Sequence, residues 1–230
     1  MKPACSNGCP VLSSQLFHCF SGEQGSRFEC VFRPTRYHRN QILFFEGGTA
    51  QHLFALRSGL VKLVKSLENG KDRIIRVLFP GEFFGLEALN ATIFPLTAVV
   101  LQDSEICAVS RDDFFAFLRG NTDIAMDMIR FLVGELEQVR AQITNLSFKD
   151  ARTRVATFLL TLTSPSQSAQ SKVCSLTLPL STQEIGEILE LSTETVSRTW
   201  STLQREGLIE KRGRHLVIQD LRALEEAARR

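Results

Sequence analysis

Four polar side chains near the end of the chain fall on one face of a segment with helical spacing: Glu194, Ser197, Arg198 and Ser201. An arginine can donate two parallel hydrogen bonds to the O6 and N7 atoms of guanine, and a glutamate can accept one from the N4 amino group of cytosine. A serine can bond either a base or a phosphate. These residue types at this spacing predict a helix that reads double-stranded DNA.

The sequence predicts where two helices begin near this polar face. Ser181 and Glu184 match the capping-box pattern, so a first helix is expected to begin there, and Ser192 can cap a second helix. The apolar sides of the two helices are expected to consist of Ile185, Ile188 and Leu189, and of Val196, Trp200 and Leu203. Two short helices with a tight connection are typical of a helix-turn-helix, whose second helix enters the major groove.

A basic hairpin is predicted directly after these helices, in the segment GLIEKRGRHLVI. Between Arg198 and Arg214 the chain holds five basic residues against two acidic ones, which suits a phosphate backbone. The alternative is an amphipathic helical hairpin with ordinary surface charges. The predicted DNA-contacting residues are Thr182, Gln183, Ser192, Thr193, Glu194, Thr195, Ser197, Arg198, Lys211, Arg212 and Arg214.

The first half of the chain is predicted to form short strands. From Tyr37 to about Ser110, apolar runs alternate with glycine-containing turns. In LVKLVKSLENGKDRIIRVLF, two strand-like runs meet around Asn69 and Gly70, both of which tolerate the positive φ of a tight hairpin. Many short strands with regular turns indicate a sandwich, jelly roll or barrel.

A long helix is predicted between the strands and the helix-turn-helix. Its apolar stripe, with spacings of four and three, consists of Met128, Leu132, Leu136, Val139, Ile143 and Leu146. Near-heptad spacing is typical of a seam between two helices, so these residues are the predicted homodimer interface. The alternative is that the stripe packs against the chain's own strands.

The composition of the chain indicates where in the cell the protein is expected to be located. The 27 basic and 25 acidic residues nearly balance, so net charge indicates no partner. The apolar runs are far shorter than the roughly 18 residues of a membrane helix, and the N-terminus makes a poor secretory signal. We therefore expect a cytoplasmic protein without a membrane partner, whose six cysteines are kept reduced.

Enzyme motifs are absent from the sequence: it contains no nucleophile elbow, phosphate-cradling glycine loop or paired catalytic carboxylates. Cupin enzymes share the jelly roll, but they hold a metal with clustered histidines. The histidines of this chain are scattered, at His18, His38, His52 and His215. We expect no enzymatic activity.

The order of these elements resembles the Crp/Fnr family of bacterial transcription regulators over nearly the whole chain. The resemblance implies an α+β protein with a cyclic-nucleotide-binding-like jelly roll at residues 1–118, a dimerisation helix at 119–148 and a winged helix-turn-helix at 149–230. Members of the family bind DNA as dimers and recruit or block RNA polymerase. The segment from Ser164 to Ser171 falls roughly where activators of the family touch polymerase.

Within the family, Glu194, Ser197 and Arg198 look like the E-x-x-S-R pattern of the Fnr branch. The resemblance implies recognition of TTGAT-type half-sites. Thr193 stands where Fnr itself carries valine, which leaves the outermost base of the half-site open.

The cyclic-nucleotide pocket of the family corresponds here to Gly85, Leu86, Glu87, Leu96 and Thr97. Cyclic-AMP receptors carry a glutamate directly after the glycine and an arginine before the serine or threonine. This chain has leucine at both places, so a cyclic phosphate would meet no guanidinium, and a desolvated anion without a cation is costly. Cyclic AMP is therefore not expected, although another small ligand could use the pocket.

The resemblance leaves the signal open. Cys107 stands where Fnr-like oxygen sensors have an internal cluster ligand, and with Cys5, Cys9 and Cys19 it gives four candidate thiolates for an iron-sulfur cluster. Haem, with His18, His38 or His52 as axial ligand, is the weaker cofactor candidate. The expected signal is redox state, oxygen, nitric oxide or a small ligand. The alternatives are a cyclic nucleotide or control by expression level alone.

Overall fold

The structure is a computed structural model, and it describes Val11, residues 33–68, Gly70, and residues 72–148, 150–163 and 173–229. The chain forms two compact units, Met1–Glu137 and Gln138–Arg230. Within the described ranges, no helix has the length and apolar character needed to cross a membrane.

In the described part of the first unit, six antiparallel strands form the sheet. They are β1 (Arg33–Tyr37), β2 (Ile42–Phe44), β3 (His52–Ser66), β4 (Asp72–Leu78), β5 (Phe83–Phe84) and β6 (Thr97–Ser110). The order is β1-β6-β3-β4, with β2 beside β6 and β5 beside β3. The two longest strands, β3 and β6, pair from His52 opposite Ser110 to Val64 opposite Thr97. The predicted jelly-roll domain is confirmed.

The predicted hairpin joins β3 to β4, which pair from Val61 opposite Leu78 to Ser66 opposite Asp72. Gly70 has a φ of +75° in this connection, and its predicted partner Asn69 lies outside the described residues. Glycine is also required at position 59, where φ is +87° and a Cβ would lie 2.2 Å from Ser104 Oγ.

Two helices follow the strands, and the second of them continues past Glu137, the last residue of the first unit. Helix α1 (Arg111–Arg119) begins at Ser110, whose hydroxyl accepts a hydrogen bond from the Asp113 amide, and α2 (Thr122–Phe148) follows. The sequence interpretation ended the strands at about Ser110 and included residues 111–118 in the jelly-roll domain without giving them a secondary structure; they are helical.

The first part of α2 packs against the strands of its own unit. The Phe131 ring meets Phe83 edge-on at 5.8 Å between centroids. Arg76 Nη1 donates to Glu135 Oε2 at 2.8 Å, and its other nitrogen Nη2 donates to Glu82 Oε1. Burial opposes the charge of Arg76, but the hydrogen bond to Glu135 and the field of Glu82 together raise its pKa. The ion pair between Arg76 and Glu135 therefore connects β4 to α2.

Besides the end of α2, the described residues of the second unit form four helices and a small sheet. Its elements are α3 (Ala151–Thr161), β7 (Cys174–Thr177), α4 (Thr182–Leu189), α5 (Thr193–Arg205), β8 (Ile209–Arg212), β9 (His215–Ile218) and α6 (Leu221–Arg229). The sheet order is β7-β9-β8, and α3 packs on α5 and α6. This is the predicted winged helix-turn-helix.

Candidate nucleic-acid interface

Helix α4 begins with the predicted capping box. Glu184 N donates to Ser181 Oγ at 3.2 Å, and Ser181 N donates to Glu184 Oε2 at 2.9 Å. Ile185 and Leu189 are buried and Ile188 is half-buried, so the predicted apolar face is present. Two of the predicted DNA-contacting residues lie in its first turn, with Thr182 half-buried and Gln183 exposed.

A tight turn joins α4 to α5. Glu190 ends α4 in the left-handed conformation, with φ 52° and ψ 44°, and Leu191 N donates to Gly186 O at 2.9 Å. A Cβ at position 186 would lie 2.7 Å from Leu191 O, so only glycine allows this close approach. Gly186 carries no polar chemistry, and the sequence interpretation did not single it out.

Helix α5 is divided into a buried and an exposed side, as its spacing predicts. Val196, Trp200 and Leu203 are buried, and Thr199 is 8% exposed. Glu194, Ser197, Arg198 and Ser201 are all exposed. One face of the helix is thus held by the core of the unit, and the predicted recognition side chains remain available to a partner.

Two charged side chains on this exposed face are neighbours. Arg198 Nε lies 3.9 Å from Glu194 Oε1, and the two side chains are 71% and 79% exposed. At this exposure the pair contributes little to stability. Both side chains can therefore leave each other and bind base edges at a small cost in free energy. Glu194 is in the first turn, where the helix dipole also favours its charge.

The first turn of α5 is organised by its cap. Ser192 Oγ accepts from Thr195 N at 3.1 Å and lies 2.8 Å from Thr195 Oγ1. Ser192 and Thr193 are exposed and Thr195 is half-buried, so the cap and the polar face form one continuous surface.

The predicted wing is the hairpin of β8 and β9. Arg212 pairs with His215, leaving Gly213 and Arg214 as a two-residue turn, with Gly213 at φ +62°. Arg212 and Arg214 are exposed, and Arg212 Nη2 lies 2.7 Å from Glu210 Oε1. Lys211 is half-buried, with its Nζ 5.5 Å from the centre of the Trp200 ring. The basic residues of the wing therefore face in different directions.

The predicted pocket residue Gly85 lies beside a cluster of phenylalanine rings. Gly85 has φ +71°, and a Cβ there would lie 2.9 Å from Phe54 Cδ2. Phe54 stacks on Phe84 at 5.2 Å, and Phe44 on Phe94 at 3.8 Å, between ring centroids. The Phe54 ring thus lies directly beside Gly85.

The other predicted pocket residues are half-buried: Leu86, Glu87, Leu96 and Thr97. Thr97 Oγ1 accepts a hydrogen bond from Glu46 N at 2.9 Å. The Glu46 carboxylate in turn pairs with Lys65 and accepts from Ser66 N, and these contacts lower its pKa. The Thr97 hydroxyl therefore already accepts a hydrogen bond from the backbone of Glu46, whose carboxylate is an anion.

The metal-site prediction falls largely outside the described residues. Cys5, Cys9, Cys19 and His18 lie there, whereas Cys107 is 1% exposed within an apolar core. The described parts of the chain contain no group of three His, Cys, Asp or Glu side chains that could hold a metal ion. These parts alone do not fit an iron-sulfur cluster.

The haem candidates that the structure describes are both on the surface. His38 and His52 are exposed, and His38 Nδ1 lies 3.6 Å from Asp103 Oδ2. Exposed side chains such as these do not suit the axial ligand of a buried haem.

The predicted dimer stripe on α2 changes its surroundings along the helix. Met128 is 4% exposed and belongs to the core of the first unit, whereas Leu132, Leu136 and Val139 are 39%, 49% and 44% exposed. Ile143 and Leu146 lie in the part of α2 whose backbone alone is described. Other exposed apolar side chains on this helix are Met126, Ile129 and Val133.

In comparisons with known proteins, two family models match two separate parts of the chain. Residues 34–121 match the family model of the cyclic nucleotide-binding domain, and residues 153–227 match the Crp-like helix-turn-helix domain. The chain is 30% identical over 190 residues to the transcriptional activator protein FnrA of Stutzerimonas stutzeri, covering 82% of this chain and 76% of FnrA. It is 28% identical to the cyclic AMP receptor protein of Thermus thermophilus, over 94% of this chain and 97% of that protein.

A solved structure shows the same fold. FixK2 from Bradyrhizobium japonicum superposes with a TM-score of 0.72 at 27% identity, covering 86% of this chain and 97% of FixK2. A cyclic nucleotide-binding domain followed by a Crp-like helix-turn-helix domain defines a DNA-binding transcription regulator rather than an enzyme. The chain belongs to the Crp/Fnr family of transcription regulators.

Proposed function

We propose that the protein binds TTGAT-type palindromes as a homodimer and that a signal received by the first unit controls this binding. The proposal depends above all on α5, whose opposite side is buried while Glu194, Ser197 and Arg198 are exposed together. Arg198 is assigned to a guanine edge and Glu194 to a cytosine amino group. Arg212 and Arg214 on the wing are assigned to phosphates, which fix the register of the helix in the groove.

Homodimer formation is assigned to α2. Its exposed apolar side chains from Met126 to Val139 have helical spacing, and the exposed apolar area suits a second copy of the same helix. Two copies would present two α5 helices to half-sites one DNA turn apart, about 34 Å. The seam differs in its first part from the sequence prediction, because Met128 already packs within its own unit.

The experiment for sequence recognition compares Arg198→Ala with Arg222→Ala. Arg222 is an exposed arginine on α6, so its variant controls for the loss of one positive charge. We expect Arg198→Ala to lower affinity for the palindrome tenfold or more, and Arg222→Ala to stay within about twofold of wild type. Fluorescence anisotropy with the palindrome and a scrambled duplex measures both. Equal affinities for the two variants would refute the recognition-helix assignment.

The controlling signal is proposed to be redox state, oxygen, nitric oxide or a small ligand. A signal can act only if it binds or modifies one dimer arrangement more favourably than another, so it must shift α2 packing between two states. Cyclic AMP, the ligand in the name of the Thermus relative, is the second candidate. Leu86 and Leu96 argue against it, because neither side chain offers a cation to an anionic phosphate. The Thr97 hydroxyl also already accepts a hydrogen bond from Glu46.

One set of samples separates these signals. The protein is purified without oxygen, its absorption spectrum, iron and labile sulfide are measured, and its DNA affinity is compared before and after exposure to air. Bound iron and sulfide with bleaching in air would identify a cluster, and a Soret band after haem addition would identify haem. Unchanged DNA affinity with 1 mM cyclic AMP is expected. A tenfold gain would instead establish the cyclic-nucleotide response.

The effect on transcription is proposed to be activation through RNA polymerase, since FnrA is by name a transcriptional activator. The predicted polymerase-facing segment from Ser164 to Ser171 lies outside the described residues. Transcription in vitro from a promoter with an upstream TTGAT palindrome tests the proposal. Lower transcript yield on adding the protein would establish repression.

A further inference from the structure

One basic residue of the wing is turned toward the recognition helix. Lys211 Nζ lies 5.5 Å from the centre of the Trp200 ring, whereas Arg212 and Arg214 are exposed. Lys211 is in β8 and Trp200 in α5, so the contact joins the two elements that are assigned to DNA.

Strand alternation explains the direction of Lys211. Ile209 is buried, and Lys211 follows it on the same side of β8, while Glu210 and Arg212 share the other side and form an ion pair. The aliphatic stem of a lysine can lie along apolar surface and carry its ammonium group to the edge. Here the ammonium group reaches the indole.

Trp200 provides a suitable face for this cation. Its side chain is 4% exposed, and its indole Nε1 is buried without a hydrogen-bond partner among the described residues. The ring is therefore positioned by packing and by the cation rather than by its N–H group. Indole is the aromatic ring with the strongest attraction for a cation.

We propose that Lys211 is a positioning residue, which stays on Trp200 with and without DNA and fixes the wing beside the recognition helix. The proposal rests on the proposed function, in which the wing and α5 contact the same duplex. A wing that is already in place avoids the cost of ordering it on binding. The sequence prediction that Lys211 contacts DNA directly is revised by this proposal.

Fluorescence tests the contact directly, because Trp200 is the single tryptophan of the chain. Lys211→Met keeps a stem of similar length and removes the charge, so its emission is expected to differ from that of wild type without DNA. Wild type saturated with the palindrome is expected to keep its own emission maximum. Identical free spectra, or a bound wild type with the spectrum of Lys211→Met, would overturn the proposal.

A double-mutant cycle on DNA affinity tests the role. Lys211→Met is expected to weaken binding threefold to tenfold, and Lys211→Arg to stay within about twofold, because a guanidinium also stacks on indole. With Trp200→Leu as background, Lys211→Met should add less than a twofold loss. Equal losses in both backgrounds, or no loss in either, would overturn the proposal. If Trp200→Leu fails to fold by circular dichroism, Trp200→Phe replaces it, and partial coupling is expected.

A failure of the proposed function can be distinguished from a failure of the Lys211–Trp200 proposal. Wild type that binds the palindrome no better than a scrambled duplex would refute the TTGAT assignment. The free-protein spectra would still report the Lys211–Trp200 contact, and the cycle could be measured on the scrambled duplex at low salt, where phosphate contacts dominate affinity.

Discussion

Arg154 on α3 donates a hydrogen bond from Nη1 to the carbonyl oxygen of Leu189, the last residue of α4, at 2.9 Å. The last carbonyls of a helix have no partner within the helix, and a cation there also meets the negative end of the helix dipole. Arg154 thus connects α3 to the end of the first helix of the helix-turn-helix, directly before the turn that orients α5.

Replacing Arg154 with methionine is expected to destabilise the second unit by about 1 to 2 kcal/mol, because the carbonyl loses a charged donor. Urea unfolding followed by the emission of Trp200 reports this unit, which contains the single tryptophan. Arg222→Met, at an exposed site on α6, is the control and should leave the midpoint unchanged. An unchanged midpoint in Arg154→Met would show that the bond does not stabilise the turn.

Asp150 gives the second unit a predictable response to acid. Its side chain caps α3 by accepting from Thr153 N at 2.7 Å, and this hydrogen bond lowers the pKa of the carboxyl group. The folded state therefore holds the proton less readily than the unfolded state. The stabilisation is complete above the unfolded pKa of about 4 and is lost as the pH falls through the lower folded value.

Asp150→Asn should retain the cap and remove this part of the pH dependence, whereas Asp150→Ala should cost about 1 kcal/mol at neutral pH. Urea midpoints from Trp200 emission between pH 7 and pH 3 measure both effects. If wild type and Asp150→Asn lose stability in parallel below about pH 4, another group causes the acid response.

Glu210 is expected to restrain the DNA affinity of the wing. Its carboxylate pairs with Arg212 at 2.7 Å and accepts from Gln219 at 3.4 Å, so it places a negative charge beside a predicted phosphate contact. Glu210→Gln should raise affinity about twofold to tenfold at low salt and steepen the salt dependence. Glu226→Gln, on the exposed side of α6, removes the same charge elsewhere, and an equal gain there would refute a local effect.

The helix-turn-helix was predictable because its signals are local. The capping box at Ser181 and the spacing of Val196, Trp200 and Leu203 fix where two helices begin and which sides are buried, and the structure confirms both. The bond between Arg154 and Leu189 was not predictable, because it joins residues 35 positions apart that meet only through packing. The contact of Lys211 with Trp200 was not predicted for the same reason, since it joins residues of β8 and α5 that meet through packing.

The long helix shows a different limit of sequence interpretation. Spacings of three and four select several overlapping stripes, because a straight helix drifts relative to a seven-residue repeat. The sequence stripe began at Met128, which the structure places in the core, and it passed over Ile129 and Val133, which are exposed. Which stripe faces a partner depends on which side of the helix already packs against the first unit. The contacts of α2 with Phe83 and Arg76 determine that side.

The dimer seam is tested by placing a charge in the exposed stripe. Val139→Glu is expected to give a monomer, because burying an unpaired carboxylate between two apolar helices is costly, and DNA affinity should fall at least tenfold when two half-sites are no longer bound together. Arg130→Glu changes the charge by two units at an exposed position outside the stripe and removes the ion pair with Asp127, yet it should leave the dimer intact. Sedimentation velocity and anisotropy on the palindrome measure the two effects. A stable, DNA-competent dimer from Val139→Glu would refute the seam, and a monomer that keeps wild-type affinity would refute the need for two copies on DNA.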